Sequence, residues 1–244
     1  MNRIKLSPLA IEQPENLSAD GCLAPKESRV SPARSTRGEF SIFSPIHYEK
    51  NYSYPLIIWL HGDDADCSQM PACMPQISVR NYVAIAPQSG FAASSPISWP
   101  NCDSSLDAAY EATLSAIDEA ALRFNIDPSK IFLAGVGTGG TMAFHLAFER
   151  PEIFAGVISI GGLLDNHQVS LRDWERCRQI PVLISAFEDE ENCPEQELCE
   201  NLRLLFVAGF TTTVRQYPHS LQLSNKVLSD IDRWIIEQFE SAIV

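Results

Sequence analysis

With 244 residues, 45% apolar and 20% charged side chains, the chain has the composition of a folded globular protein, which excludes disorder, collagen and coiled coil. Its net charge of −13, from 18 basic against 31 acidic residues, repels phosphate backbones and anionic lipid headgroups, so nucleic acid is not an expected partner. The longest apolar runs, such as Leu56 to Leu60 and Ile131 to Ala134, are strand-sized and fall far short of the roughly 20 residues that span a bilayer.

Met1-Asn2-Arg3-Ile4-Lys5 leads into no apolar h-region, so no secretory signal is legible and cytoplasmic residence is expected. Cys22, Cys67, Cys73, Cys102, Cys177, Cys193 and Cys199 form an odd set without CxxC pairs. That pattern argues against a disulfide framework and against a zinc site. The cysteines are expected to be reduced and mostly buried, and no metal or other cofactor is implied.

Residues 1 to 37 carry Pro8, Pro14, Pro25 and Pro32 with Lys26, Arg29, Arg34 and Arg37, and read as a loosely ordered leader. Within it, Leu6 to Ile11 can pair as an edge strand. Residues 38 to 244 read as one domain in which short β-branched runs alternate with amphipathic stretches. Strands are expected at Glu39 to Ser44, Leu56 to Leu60, Tyr82 to Ala86, Ile131 to Ala134, Ala155 to Ile160, Val182 to Ala186 and Thr212 to Tyr217. Helices are expected at Ser104 to Phe124, Pro194 to Ala208 and Ser224 to Phe239, the second stopped by Gly209. The alternation predicts a three-layer α/β/α sandwich around a mostly parallel, doubly wound sheet.

The chemistry gathers in Ile131-Phe132-Leu133-Ala134-Gly135-Val136-Gly137-Thr138-Gly139-Gly140-Thr141-Met142-Ala143, a buried strand that enters a glycine turn and then a helix of small residues. Strand, sharp turn and helix describe a nucleophile elbow, where glycines two before and two after the central residue let the bend tighten. Gly135 and Gly139 hold those places, and the central residue is Gly137.

Together with Leu60-His61-Gly62, Ala86-Pro87-Gln88, Trp99, Asp127-Pro128-Ser129-Lys130-Ile131 and Pro151 with Phe154-Ala155-Gly156, this segment resembles the α/β-hydrolase superfamily, in particular its short bacterial carboxylesterase and phospholipase branch. The resemblance covers roughly Glu39 to Phe239 and implies that fold. It also implies a serine where Gly137 stands, an acid at Glu190 with Asp189 adjacent, and a histidine at His219, which here follows Tyr217-Pro218 directly. A solvated acidic loop is at least as good an account of Glu190, and a surface or loop-packing histidine is the better account of His219.

On the oxyanion side, His61 and Gly62 lead into Asp63, Asp64 and Asp66, whose negative charge opposes oxyanion stabilisation. Trp99 lies in the Ser- and Pro-rich segment Gln88 to Asp103, which reads either as a pocket wall or as a plain surface loop. His145, on the helix after the elbow, has no partner assignable from sequence.

Glycine has no side chain with which to attack a carbonyl. The expected function is therefore a catalytically disabled carboxylesterase relative with a binding or regulatory role toward a small ester-like or acyl ligand. The alternative is an active hydrolase using Thr138 as nucleophile, or a water activated by His219 and Glu190. A serine exchanged for glycine to trap a ligand would leave the same sequence. Nothing in the sequence fixes the oligomeric state.

Overall fold

The computed structural model describes residues 40–89, 98–99, 102–165, 174–188, 194–218 and 223–241. The expected leader, including Leu6 to Ile11, lies outside the described residues, as do Asp189, Glu190 and His219.

The strands are β1 (Phe40–Phe43), β2 (Tyr54–Leu60), β3 (Val83–Pro87), β4 (Ile126–Val136), β5 (Gly156–Ile160), β6 (Val182–Phe187) and β7 (Thr212–Tyr217). They form one seven-stranded sheet in the order β1-β3-β2-β4-β5-β6-β7. β1 pairs antiparallel with β3, and every other pairing is parallel. β2, β3, β5 and β6 are buried along their whole length, as continuous apolar runs require when helices cover both faces of a parallel sheet.

β4 starts earlier than its apolar run, since Ile126 already pairs with Tyr54. The register then shifts before Leu56 meets Ile131. The shift falls at Pro55, which has no N–H to give the ladder. The extra β4 residues turn back on Asp127, whose Oδ1 accepts from Ser129 N and Oγ at 3.0 and 2.6 Å.

The helices are α1 (Gln69–Ile77), α2 (Asp103–Arg123), α3 (Thr138–Glu149), α4 (Trp174–Cys177), α5 (Glu195–Val207) and α6 (Asn225–Ser241). One face of the sheet packs on α2, α3 and α5 through Ala109, Ala116, Phe144, Phe148 and Leu205. The other packs on α1 and α6 through Met70, Met74, Val227, Ile231 and Trp234. All seven expected strands and the three expected helices are present, in the three-layer arrangement expected. Trp59, Phe132 and Phe144 are buried in the core.

Two helices were not expected. α1 carries Pro71 and Pro75, which mask its apolar spacing of Met70, Cys73, Met74 and Ile77. α4 has only four residues. Among the described cysteines Cys67, Cys73 and Cys177 are buried, while Cys102 and Cys199 are exposed; Cys22 and Cys193 lie outside the described residues. Among the described residues no helix is long and apolar enough to cross a membrane.

Candidate functional site

The C-terminal ends of β2, β3 and β4 converge on one spot. β4 delivers Gly137 with φ 53° and ψ −120°, a conformation that disfavours any side chain, and α3 starts at the next residue. The Gly137 N–H donates to Ile160 O at 2.9 Å, while its carbonyl accepts from Gly140 and Thr141 at 2.9 and 3.2 Å. The bend is tight enough that a Cβ on Gly139 would stand 2.5 Å from His61 O, and one on Gly135 would strike the Gly139 carbonyl. These are the two close-packed glycines that the sequence pattern required.

Over the bend lies the carboxylate of Asp63, from the loop after β2. Thr138 Oγ1 donates to Asp63 Oδ1 at 2.8 Å, and Thr138 N–H reaches toward Oδ2 at 3.5 Å. Oδ2 also stands 2.9 Å from where a Cβ on Gly137 would be. A negative charge at the start of α3 is favoured by the partial positive charge of its unpaired N–H groups. Asp63 is exposed to solvent, yet its carboxylate is engaged by Thr138. Asp66 is exposed as well, and Ser68 N–H donates to its Oδ1 at 2.8 Å. The hydrogen bonds from Ser68 hold the Asp66 carboxyl below the usual carboxylate range.

His61 is fully buried. Ser89 N–H donates to its Nε2 at 3.2 Å, and Nδ1 lies 3.0 Å from Gly62 O. An N–H at Nδ1 and an acceptor at Nε2 satisfy both contacts, which assigns a neutral ring in that tautomer. Burial pushes the His61 pKa down, offset in part by the Gly62 carbonyl and the charges of Asp66 and Asp63. Trp99 packs beside the ring, 5.1 Å between centroids, and its Nε1 donates to His61 O at 3.0 Å. Its backbone N–H donates to Thr138 Oγ1 at 3.3 Å. Thus His61, Trp99, Thr138 and Asp63 form one continuous hydrogen-bonded unit around Gly137.

Sequence reasoning missed Gln69, and named Gln88 without its bracing role. Gln69 Oε1 accepts from Gly62 N–H at 3.1 Å and from Trp59 Nε1 at 3.0 Å. Gln88 Oε1 accepts from Cys67 N–H at 2.9 Å. Gln69 opens the helix hidden by its prolines, so no sequence signal singled it out. His145 lies deeper, with Nε2 buried and unpartnered, and burial lowers its pKa against the opposing charge of Asp165.

No protein-family model matches the chain. Lysophospholipase-like protein 1 of Mus musculus is 28% identical over 138 residues, which is 54% of this chain and 56% of that protein. The chain spans 22% and 56% of the lengths of two curated relatives that it matches. The phospholipase/carboxylesterase structure from Dyadobacter fermentans superposes with a TM-score of 0.64 at 16% identity, covering 84% of this chain and all of the other. The Bacillus cereus carboxylesterase structure also gives 0.64, at 17% identity, over 82% of this chain and 94% of its own.

This is an α/β-hydrolase fold.

Within it, the Gly135 to Gly139 bend has the strand, turn and helix geometry of a nucleophile elbow. In α/β-hydrolases the N–H after the elbow residue and an N–H from the loop of a neighbouring strand receive the oxyanion. Here Thr138 N–H faces a carboxylate, and Gly62 N–H is bonded to Gln69. β6 and β7, which precede Glu190 and His219, end side by side with Phe187 opposite Tyr217.

Proposed function

We propose that this protein is a catalytically disabled member of the carboxylesterase lineage, retained for binding or regulation and directed at a small ester-like or acyl ligand. The observation that carries this reading is the elbow itself. Gly137 holds the strained turn that presents a nucleophile but supplies no atom to attack with, and the Asp63 carboxylate faces the same point. Losing a triad nucleophile costs about 10⁶ in kcat and leaves about 10³ to 10⁴ over water. A carboxylate against Thr138 N–H further opposes the negative charge that an acyl-transfer transition state develops.

The purified natural protein is expected to show no reaction with a fluorophosphonate probe and no hydrolysis of p-nitrophenyl acetate or butyrate above background. An ordinary esterase rate that disappears on His219→Ala would refute the proposal.

A second reading, hydrolysis through the Thr138 hydroxyl, gains one observation from the 2.8 Å hydrogen bond to Asp63, which pairs a hydroxyl with a carboxylate base. It loses ground because the same carboxylate takes up the adjacent N–H that would receive the oxyanion. Any turnover abolished by Thr138→Val and kept by His219→Ala would select it.

A further inference from the structure

Resting on the reading of Gly137 as an emptied elbow, we propose that Asp63, though exposed, is a tethered plug over it, so that the elbow is obstructed as well as vacated. Three measurements converge on one side chain. Its Oδ2 stands 2.9 Å from the place of a Cβ at position 137, closer than unbonded carbon and oxygen approach. The same oxygen faces Thr138 N–H at 3.5 Å, and Oδ1 holds the Thr138 hydroxyl at 2.8 Å. Volume and donors, the two things a substrate carbonyl would need here, are thus both taken by a tethered anion.

The neighbouring acids do not share the task. Asp66 is turned onto Ser68, and Asp64 stands with backbone φ 57° beyond the contact. The hydroxyl that binds Asp63 is itself fixed. Trp99 N–H donates to the hydroxyl that Asp63 accepts, and Trp99 Nε1 ties that arm to His61 O. A side chain restored at position 137 therefore meets an exposed carboxylate tethered through Thr138, and must displace it to reach solvent.

The plug makes serine at this position insufficient by itself. The test compares the natural protein with Gly137→Ser, Asp63→Gly and the double variant, by fluorophosphonate labelling and by thermal melting. In labelling, the serine oxygen bonds to phosphorus as fluoride leaves and the hydroxyl proton passes to a base. We expect Gly137→Ser alone to label about ten-fold or more slowly than the double variant, the rate equivalent of a modest overpacking penalty. We also expect Gly137→Ser to lower the melting temperature by several degrees more in the natural background than in the Asp63→Gly background, because the backbone strain is common to both and only the clash differs.

Equal labelling of single and double variants with additive melting shifts would overturn the plug and leave the disabled reading intact. Labelling of the natural protein would instead sink the disabled reading. If neither serine variant labels, the melting comparison alone decides, with additivity against the plug and non-additivity for it. Gly137→Ala supplies the same melting comparison should the serine variant not fold. Asp63→Asn in the serine background separates occupied volume from charge. A labelling rate unchanged by that exchange assigns the block to volume, and recovery assigns it to charge.

Discussion

If His61 braces the loop rather than taking part in proton transfer, acidification should weaken the fold before any carboxylate titrates. Burial depresses the pKa of both His61 and His145 below the ordinary 6.5. The unfolded chain therefore binds more protons than the folded one as pH falls through that range, and stability present above it is lost below it. Protonating His61 Nε2 would set an N–H against the Ser89 N–H that now donates to it. Protonating His145 Nε2 would place a charge where no acceptor stands.

Between about pH 7 and about pH 5.5 a ring that stays neutral in the fold costs at most about 1.3 kcal/mol, and the pair about 2.5 kcal/mol. For a chain of this length that is roughly 5–10 °C in melting temperature. Circular dichroism melts across this range should show the drop, and His145→Leu should remove about half of it. A melting temperature level to about pH 5.5, or a drop undiminished in both His145→Leu and His61→Gln, would refute the assignment of buried neutral rings.

Gly139→Ala should be among the most damaging single changes, since its Cβ would press backbone oxygens of His61 and Leu60 at 2.5 and 2.6 Å. A loss of about 3 kcal/mol or more is expected, read as a lowered urea midpoint. Asp230→Ala should cost about 2–3 kcal/mol by urea titration, because it strands the Tyr217 hydroxyl, bonded at 3.0 Å, and removes the carboxylate paired with Arg215 at 3.5 Å, leaving Arg215 its bond to the Asp230 carbonyl and its pair with Glu237. Burial alone would raise the Asp230 carboxyl, but hydrogen bonds from Lys226 and Tyr217 and the Arg215 charge hold it below the usual range. Its stabilisation should accordingly fade only as pH falls below about 4. Under native alkylation with iodoacetamide, peptide mass mapping should find Cys102 and Cys199 modified, both being exposed. Cys73, buried and pushed up to about 11, should react only after unfolding.

The strands were legible because each is a short β-branched run whose burial on both faces leaves a continuous apolar signature, as in Leu56 to Leu60 and Val182 to Ala186. The antiparallel course of β1 was not legible, since a four-residue edge strand carries no signal of direction. α1 escaped notice because its prolines are helix breakers by propensity, overridden here by packing of Met70, Cys73 and Met74 against α6. The elbow could be read to the residue, because the glycines it needs have no substitute. What Asp63 does there could not. Three acids after a strand look alike in sequence, and only the fold shows which of them reaches the start of α3.

The contact between Asp63 and Thr138 joins the tips of two adjacent strands through one acid that has nothing to do with the missing hydroxyl. On the plug proposal, a descendant that regained serine would gain little until that acid also left, and losing the acid first would forfeit the bond to Thr138 for no reward. If both proposals hold, the two positions would act as a ratchet, since neither exchange alone would restore a working elbow.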